Sequence, residues 1–83
     1  MDIDLKQRTK TFALEIIKLV TELPKNTVGF ELGKQIVRSG TSIGANYRSS
    51  QRGRSRAEFI SKLSVVQEEA DETIFWLELI SES

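Results

Sequence analysis

Four arginines, Arg48, Arg52, Arg54 and Arg56, crowd around Gly53 with Glu58 as the nearest acid in sequence. The guanidinium is a planar fork of donors that matches phosphate and carboxylate oxygens, so the chemistry on offer is anion binding, not bond-making. Three occupants fit such a cluster: nucleic-acid phosphates, the carboxylates of a neighbouring subunit, or plain solvent. No aromatic residue alternates with these arginines. A nucleic acid would therefore be held by its backbone and read with little sequence preference.

The second chemistry-bearing group is the acidic run Glu68, Glu69, Asp71 and Glu72. Carboxylates on helices can ligate metals, but dimetal bundles pair Glu-x-x-His motifs and this chain has no histidine. The same absence removes the commonest general base, and the lack of cysteine removes thiolate chemistry. Nothing in the pattern sets two carboxylates in a shared apolar cleft. The expectation is a non-enzyme with no metal, no cofactor and no small-molecule substrate.

The elements that must position these groups are helical. Leu5, Thr9, Phe12, Ile16, Leu19 and Leu23 recur at spacings of four and three, and Ala13, Ile17 and Val20 widen the stripe. Pro24 stops this helix, which spans about residues 4–23. Pro24 to Gly29 reads as a short connection, with Asn26 or Thr27 as a helix cap. A second helix over about 30–52 has Leu32, Ile36, Ser39, Ile43, Asn46 and Tyr47 on one face and Lys34, Arg38, Arg48 and Arg52 on the other. Gly33, Gly40 and Gly44 line the flank between them. Each costs a helix roughly 1 kcal/mol relative to alanine, so the flank marks a place where another backbone packs close.

Gly53 reads as a left-handed residue ending the second helix. Ser55 and Glu58 form a capping box that opens a third helix over about 56–82, making a tight antiparallel hairpin. Phe59, Leu63, Val66, Ala70, Thr73, Leu77 and Ile80 give that helix a continuous core face, broadened by Ile60 and Ile74. Phe75, Trp76 and Leu79 point elsewhere. They form a second apolar cluster that needs a cover, either a fourth helix or another subunit. Antiparallel pairing sets Arg38 near Glu69 and Lys34 near Glu72. Ser39, Ser42 and Asn46 read as a hydrogen-bonded polar strip, not a ligand site.

Net charge is zero, yet residues 34–62 hold seven basic side chains and one acidic, and residues 63–83 hold six acidic and none basic. Such polarity draws segments together within a molecule, between subunits, or onto an anionic partner. The chain is short enough to be one domain, 1–83, with a modest core that association would help. Asp2 and Asp4 stand where a signal peptide would be basic, and no run approaches the roughly 20 apolar residues of a membrane span. With no cysteine, the expected setting is the cytoplasm, without a membrane partner.

The run Gln35-Ile-x-Arg-Ser-x-x-Ser-Ile-x-x-Asn46, the Arg56-x-x-Phe-Ile exit of the hairpin and the segment EEADETIFWLEL over 68–79 resemble the 23S rRNA-intervening-sequence family of four-helix-bundle proteins. That family is similar to the accessory proteins of diversity-generating retroelements. The resemblance implies a bacterial up-and-down antiparallel bundle, of unknown function and without catalysis, that assembles as a homo-oligomer, commonly a pentamer. Several such relatives bind nucleic acid through strongly basic surfaces, whereas this chain is neutral and carries three helices where the family has four.

The expectation is therefore an all-α scaffold or accessory protein. Its anion-docking residues are Arg48, Arg52, Arg54 and Arg56, its oligomer or fourth-helix contact Phe75, Trp76 and Leu79, and its close helix packing Gly33, Gly40 and Gly44. The alternative is a nucleic-acid-binding accessory protein of a retroelement or rRNA intervening sequence.

Overall fold

A computed structural model describes residues 4–83. Three helices follow one another: α1 (Leu5–Thr21), α2 (Thr27–Ser50) and α3 (Arg56–Glu82), with no strand among the described residues. Each begins on a side-chain cap. Asp4 accepts from the Gln7 amide at 3.0 Å, Asn26 from the Gly29 amide at 2.8 Å and Ser55 from the Glu58 amide at 3.1 Å. Each bond satisfies an amide that the first helical turn would leave open.

Three boundaries differ from the sequence reading by two residues or more, the third being the end of α2 at Ser50 where about 52 was expected. α1 closes at Thr21, because Leu23 precedes Pro24 and is pushed out of helical geometry. The last turn tightens instead, with Glu22 N donating to Leu19 O at 3.0 Å and Leu23 N to Val20 O at 3.2 Å. α2 starts at Thr27, three residues before the expected 30, since Asn26 already supplies the cap.

The three helices run up, down and up, with α2 in the middle. α1 packs on α2, α2 packs on α3, and α1 and α3 do not contact each other among the described residues. The register of the first pair comes from the glycine flank. A Cβ on Gly33 would stand 2.9 Å from Val20 Cγ1, on Gly40 3.1 Å from Ile16 Cγ1, and on Gly44 3.1 Å from Thr9 Oγ1. All three glycines are buried. The small flank of α2 is the bed in which α1 lies.

The second interface is polar at its centre. Thr73 Oγ1 lies 2.9 Å from Ser39 Oγ and 2.7 Å from the Glu69 carbonyl, and both hydroxyl residues are buried. A hydroxyl has one hydrogen. Thr73 therefore donates down its own helix and accepts from Ser39, a relay that satisfies both groups. Ser42 donates to the Arg38 carbonyl at 2.6 Å and Asn46 to the Ser42 carbonyl at 2.9 Å, which completes the polar strip. No buried side-chain nitrogen or oxygen lacks a partner among the described residues.

Because α1 and α3 each have one neighbour, their apolar stripes are half covered. Among the large apolar side chains of the described residues only Ile16 and Ile36 are buried, each worth about 1.5–3 kcal/mol. Leu5 and Ile17 of α1, and Phe59, Ile60 and Ile74 of α3, were expected in a core and are exposed instead. The physical reason is the open layer: a stripe wide enough for two neighbours meets one.

The turn before α3 also departs from expectation. No described glycine has positive φ, so Gly53 is not a left-handed cap. What excludes a side chain there is space. A Cβ would sit 3.1 Å from the Phe59 amide nitrogen and 3.2 Å from the Ser50 carbonyl oxygen. The capping box is likewise half present: Ser55 accepts from Glu58, and no return bond from the Glu58 side chain is found.

Candidate functional site

The antiparallel order gathers the N-termini of α1 and α3 and the C-terminus of α2 at one end of a body measuring 45 × 23 × 17 Å. Residues 4–13 and 43–62 share that end and hold eight basic and two acidic side chains, whereas 14–42 and 63–83 hold four basic and nine acidic. A neutral chain has thus become a molecule with a basic end and an acidic end.

At the basic end two hollows adjoin, sharing Arg48 and Arg52. One, of about 400 Å³, is bordered by Leu5, Lys6 and Tyr47. The other, of about 470 Å³, is bordered by Thr9, Lys10, Ala13, Thr41, Gly44 and Ala45. Arg48 is half-buried and Arg52 exposed. The small floor of Gly44, Ala45 and Ala13 lets the long cationic side chains rise around it as a rim. Among the described residues, Asp4 is the one acid bordering either hollow.

Of the four expected arginines, the fold brings Arg48 and Arg52 together in this groove. Arg54 and Arg56 are exposed on the turn and at the start of α3, outside both hollows. Lys6 and Lys10, which the sequence reading missed, complete the cationic rim from α1. The signal was available: once Gly44 is set against Thr9, an antiparallel register carries Lys6 and Lys10 alongside Arg48.

The other charged pairing is structural. Arg38 bridges Glu69, at 3.5 Å, and Glu72. Glu72 also accepts from Trp76 Nε1 at 3.2 Å. Lys34 was expected beside Glu72, but Arg38 reaches that carboxylate with its longer fork, and no other ion pair is found among the described residues. Trp76 keeps its contact with Phe75 of the apolar cluster and also donates to Glu72. It is half-buried against Glu72, edge-on to Phe75 with ring centres 5.2 Å apart, while Phe75 and Leu79 are exposed at 52% and 38%.

Two helix ends carry charges that work against their own dipoles, although Asp4 caps the first of them. The first turn of α1 holds Lys6 and Arg8 and no acid, and the last turn of α3 holds Glu82 and no base. Each placement costs a few tenths of a kcal/mol to about 1 kcal/mol. No group of three or more Asp or Glu could hold a metal ion among the described residues. No described helix is long and apolar enough to cross a membrane.

An antiparallel helical layer with a polarised long axis defines an up-and-down helical bundle protein. The chain belongs to the 23S rRNA-intervening sequence protein family, whose model matches residues 1–83. It is similar, at 47% identity and a TM-score of 0.82, to the crystal structure of a protein with unknown function from the S23 ribosomal protein family of Bacteroides thetaiotaomicron. The match covers 89% of this chain and 68% of that one. A comparison with curated proteins finds no match.

Proposed function

We propose that the protein is a non-enzymatic scaffold or accessory protein that docks an anionic partner at its basic end. The observation that carries this reading is the groove between α1 and α2, where Lys6, Lys10, Arg48 and Arg52 meet with Asp4 as the one acid among the described residues that borders it. Arg54 and Arg56 extend the same potential over the adjoining turn. Binding there gains from Coulomb attraction focused between two helices, and it weakens with salt.

The docking reading is tested with Arg48, Arg52, Arg54 and Arg56 replaced together by alanine. Loss of binding to an anionic matrix, with helix content retained, supports it. Equal retention of variant and parent on the same column overturns it.

A second reading is favoured by the arginines themselves, whose forks suit phosphates: a nucleic-acid-binding accessory protein of a retroelement or rRNA intervening sequence. On that reading binding to single-stranded RNA falls with salt along a log–log slope no steeper than about −4, because four arginines neutralise at most a handful of phosphates. A homo-oligomeric assembly, of which a pentamer is one form, suits either reading, because the exposed apolar side chains of α1 and α3 leave surface to cover.

A further inference from the structure

We propose that the larger hollow between α1 and α2 is a binding site for a small phosphorylated sugar, a phosphate monoester that also carries free hydroxyls. This rests on the reading of the basic end as a docking surface and names the ligand it takes.

The charge of the hollow calls for a dianion. Lys10 from α1, Arg48 from the last turn of α2 and Arg52 border this space of about 470 Å³. Arg52 lies beyond α2, which ends at Ser50, and is held by a tightened turn in which its amide donates to the Ser49 carbonyl at 3.1 Å. Among the described residues none of these three cations enters an ion pair, and no acid borders this hollow. The C-terminal dipole of α2 offsets roughly half a charge, so about two and a half positive charges remain. A carboxylate, or one diester of a nucleic-acid backbone, brings a single negative charge. A phosphate monoester brings about −1.5 to −2 at pH 7. Two guanidinium forks and an ammonium also match the terminal oxygens that only a monoester presents together.

The hydroxyls of the hollow call for donors. Thr9 and Thr41 border it from opposite helices. Each has its single hydrogen committed within its own helix, Thr9 to the Leu5 carbonyl at 2.7 Å and Thr41 to the Val37 carbonyl at 2.6 Å. What they offer a ligand is therefore lone pairs. A bare phosphate dianion has no hydrogen to give them, whereas the hydroxyls of a sugar do.

Size selects a small molecule. The helical part of the wall, from Thr41 to Arg48, is about 10 Å long, and Ala13, Gly44 and Ala45 keep the floor low. A pentose or hexose with one phosphate matches that length, and an RNA strand overruns it at both ends.

Isothermal titration calorimetry at low salt tests the site with ribose 5-phosphate, methyl phosphate, dimethyl phosphate and ribose. Ribose 5-phosphate should bind with saturation, and methyl phosphate about tenfold more weakly for want of the two hydroxyl contacts. Dimethyl phosphate and ribose should give no saturable heat. Arg48→Gln, with helix content unchanged by circular dichroism, should weaken ribose 5-phosphate about tenfold or more. Thr41→Val keeps the side-chain shape and removes an acceptor, so it should weaken ribose 5-phosphate about threefold and leave methyl phosphate unchanged. The second proton of a monoester titrates near pH 6, so affinity should fall about tenfold from pH 7 to pH 5. The chain has no histidine, and the two acids of this end, Asp4 and Glu58, would strengthen anion binding on taking up a proton, which is the opposite direction.

Absence of saturable ribose 5-phosphate binding overturns the inference. So do equal affinity for methyl phosphate, an affinity indifferent to pH, or a Thr41→Val or Arg48→Gln variant that matches the parent. A short RNA with hydroxyls at both ends, which carries diesters alone, is titrated in parallel. A parent that binds this RNA and not ribose 5-phosphate overturns the sugar-phosphate site while leaving the docking reading standing. A parent that binds neither, and is not retained on the anionic matrix, overturns both.

Discussion

Ser39 and Thr73 are hydroxyls where a helix interface would ordinarily place methyl groups, and their shared hydrogen bond has a testable signature. Replacing Thr73 by valine leaves the buried Ser39 hydroxyl with only a 3.5 Å contact to the Ile36 carbonyl. Such an orphaned group costs about 1–3 kcal/mol. Ser39→Ala costs less, since Thr73 keeps its bond to the Glu69 carbonyl. The double variant should then be more stable than the sum of the two single effects, because removing both partners strands neither. Urea titration of all four proteins measures this. Arg38 offers a contrast: it is 48% exposed, and Arg38→Met should change stability by no more than about 1 kcal/mol. Legibility followed the same division. Arg38 beside Glu69 was foreseeable from antiparallel counting, whereas the choice of Arg38 over Lys34 by Glu72 depends on side-chain reach that spacing does not encode.

At the scale of the element, the glycine flank of α2 sets how near α1 can lie. Alanine gains roughly 1 kcal/mol of helix propensity at such positions, and overpacking costs about 1–3 kcal/mol. Gly44→Ala meets Thr9 Oγ1 at 3.1 Å, beside the open groove, and should be close to neutral. Gly29→Ala puts its Cβ 1.9 Å from the Pro24 carbonyl oxygen, a backbone atom that cannot turn aside, and should be clearly destabilising. Thermal melts of the two variants compare them. Gly33, Gly40 and Gly44 were recognisable because they recur on one side of a helix. Gly29 was not, because its constraint comes from the shape of a turn that periodicity does not reveal. Gly53 was recognised for the wrong cause: its position after a helix suggested a left-handed cap, but contact with the start of α3 is what demands glycine. Helix faces were read correctly in direction and too generously in burial, since amphipathic width tells how many neighbours a helix can accept and not how many it has. Ile17 and Ile74 show that difference most plainly.

For the whole molecule, the segregation of charge was visible as blocks along the sequence, but its concentration at two ends required the topology. Lys6 and Lys10 joined Arg48 and Arg52 only when α1 was laid against α2. The exposed apolar side chains bear on solution behaviour. Dilute protein at high salt should bind a hydrophobic dye such as anilinonaphthalene sulfonate, and dye binding should fall as concentration rises and Phe75 and Leu79 become covered. Dye fluorescence that is independent of concentration would count against association through α3.

The absence of contact between α1 and α3 makes the fold a linear chain of two interfaces with α2 as the shared link. Each outer helix can detach without disturbing the other, and the α2–α3 interface is the more extensive of the two. Amide hydrogen exchange should therefore find a ladder of opening energies: α1 amides exchange first, through a partial opening that leaves α2 and α3 paired, and the middle of α2 exchanges last. A uniform exchange energy across all three helices would instead mean that they open together as one unit.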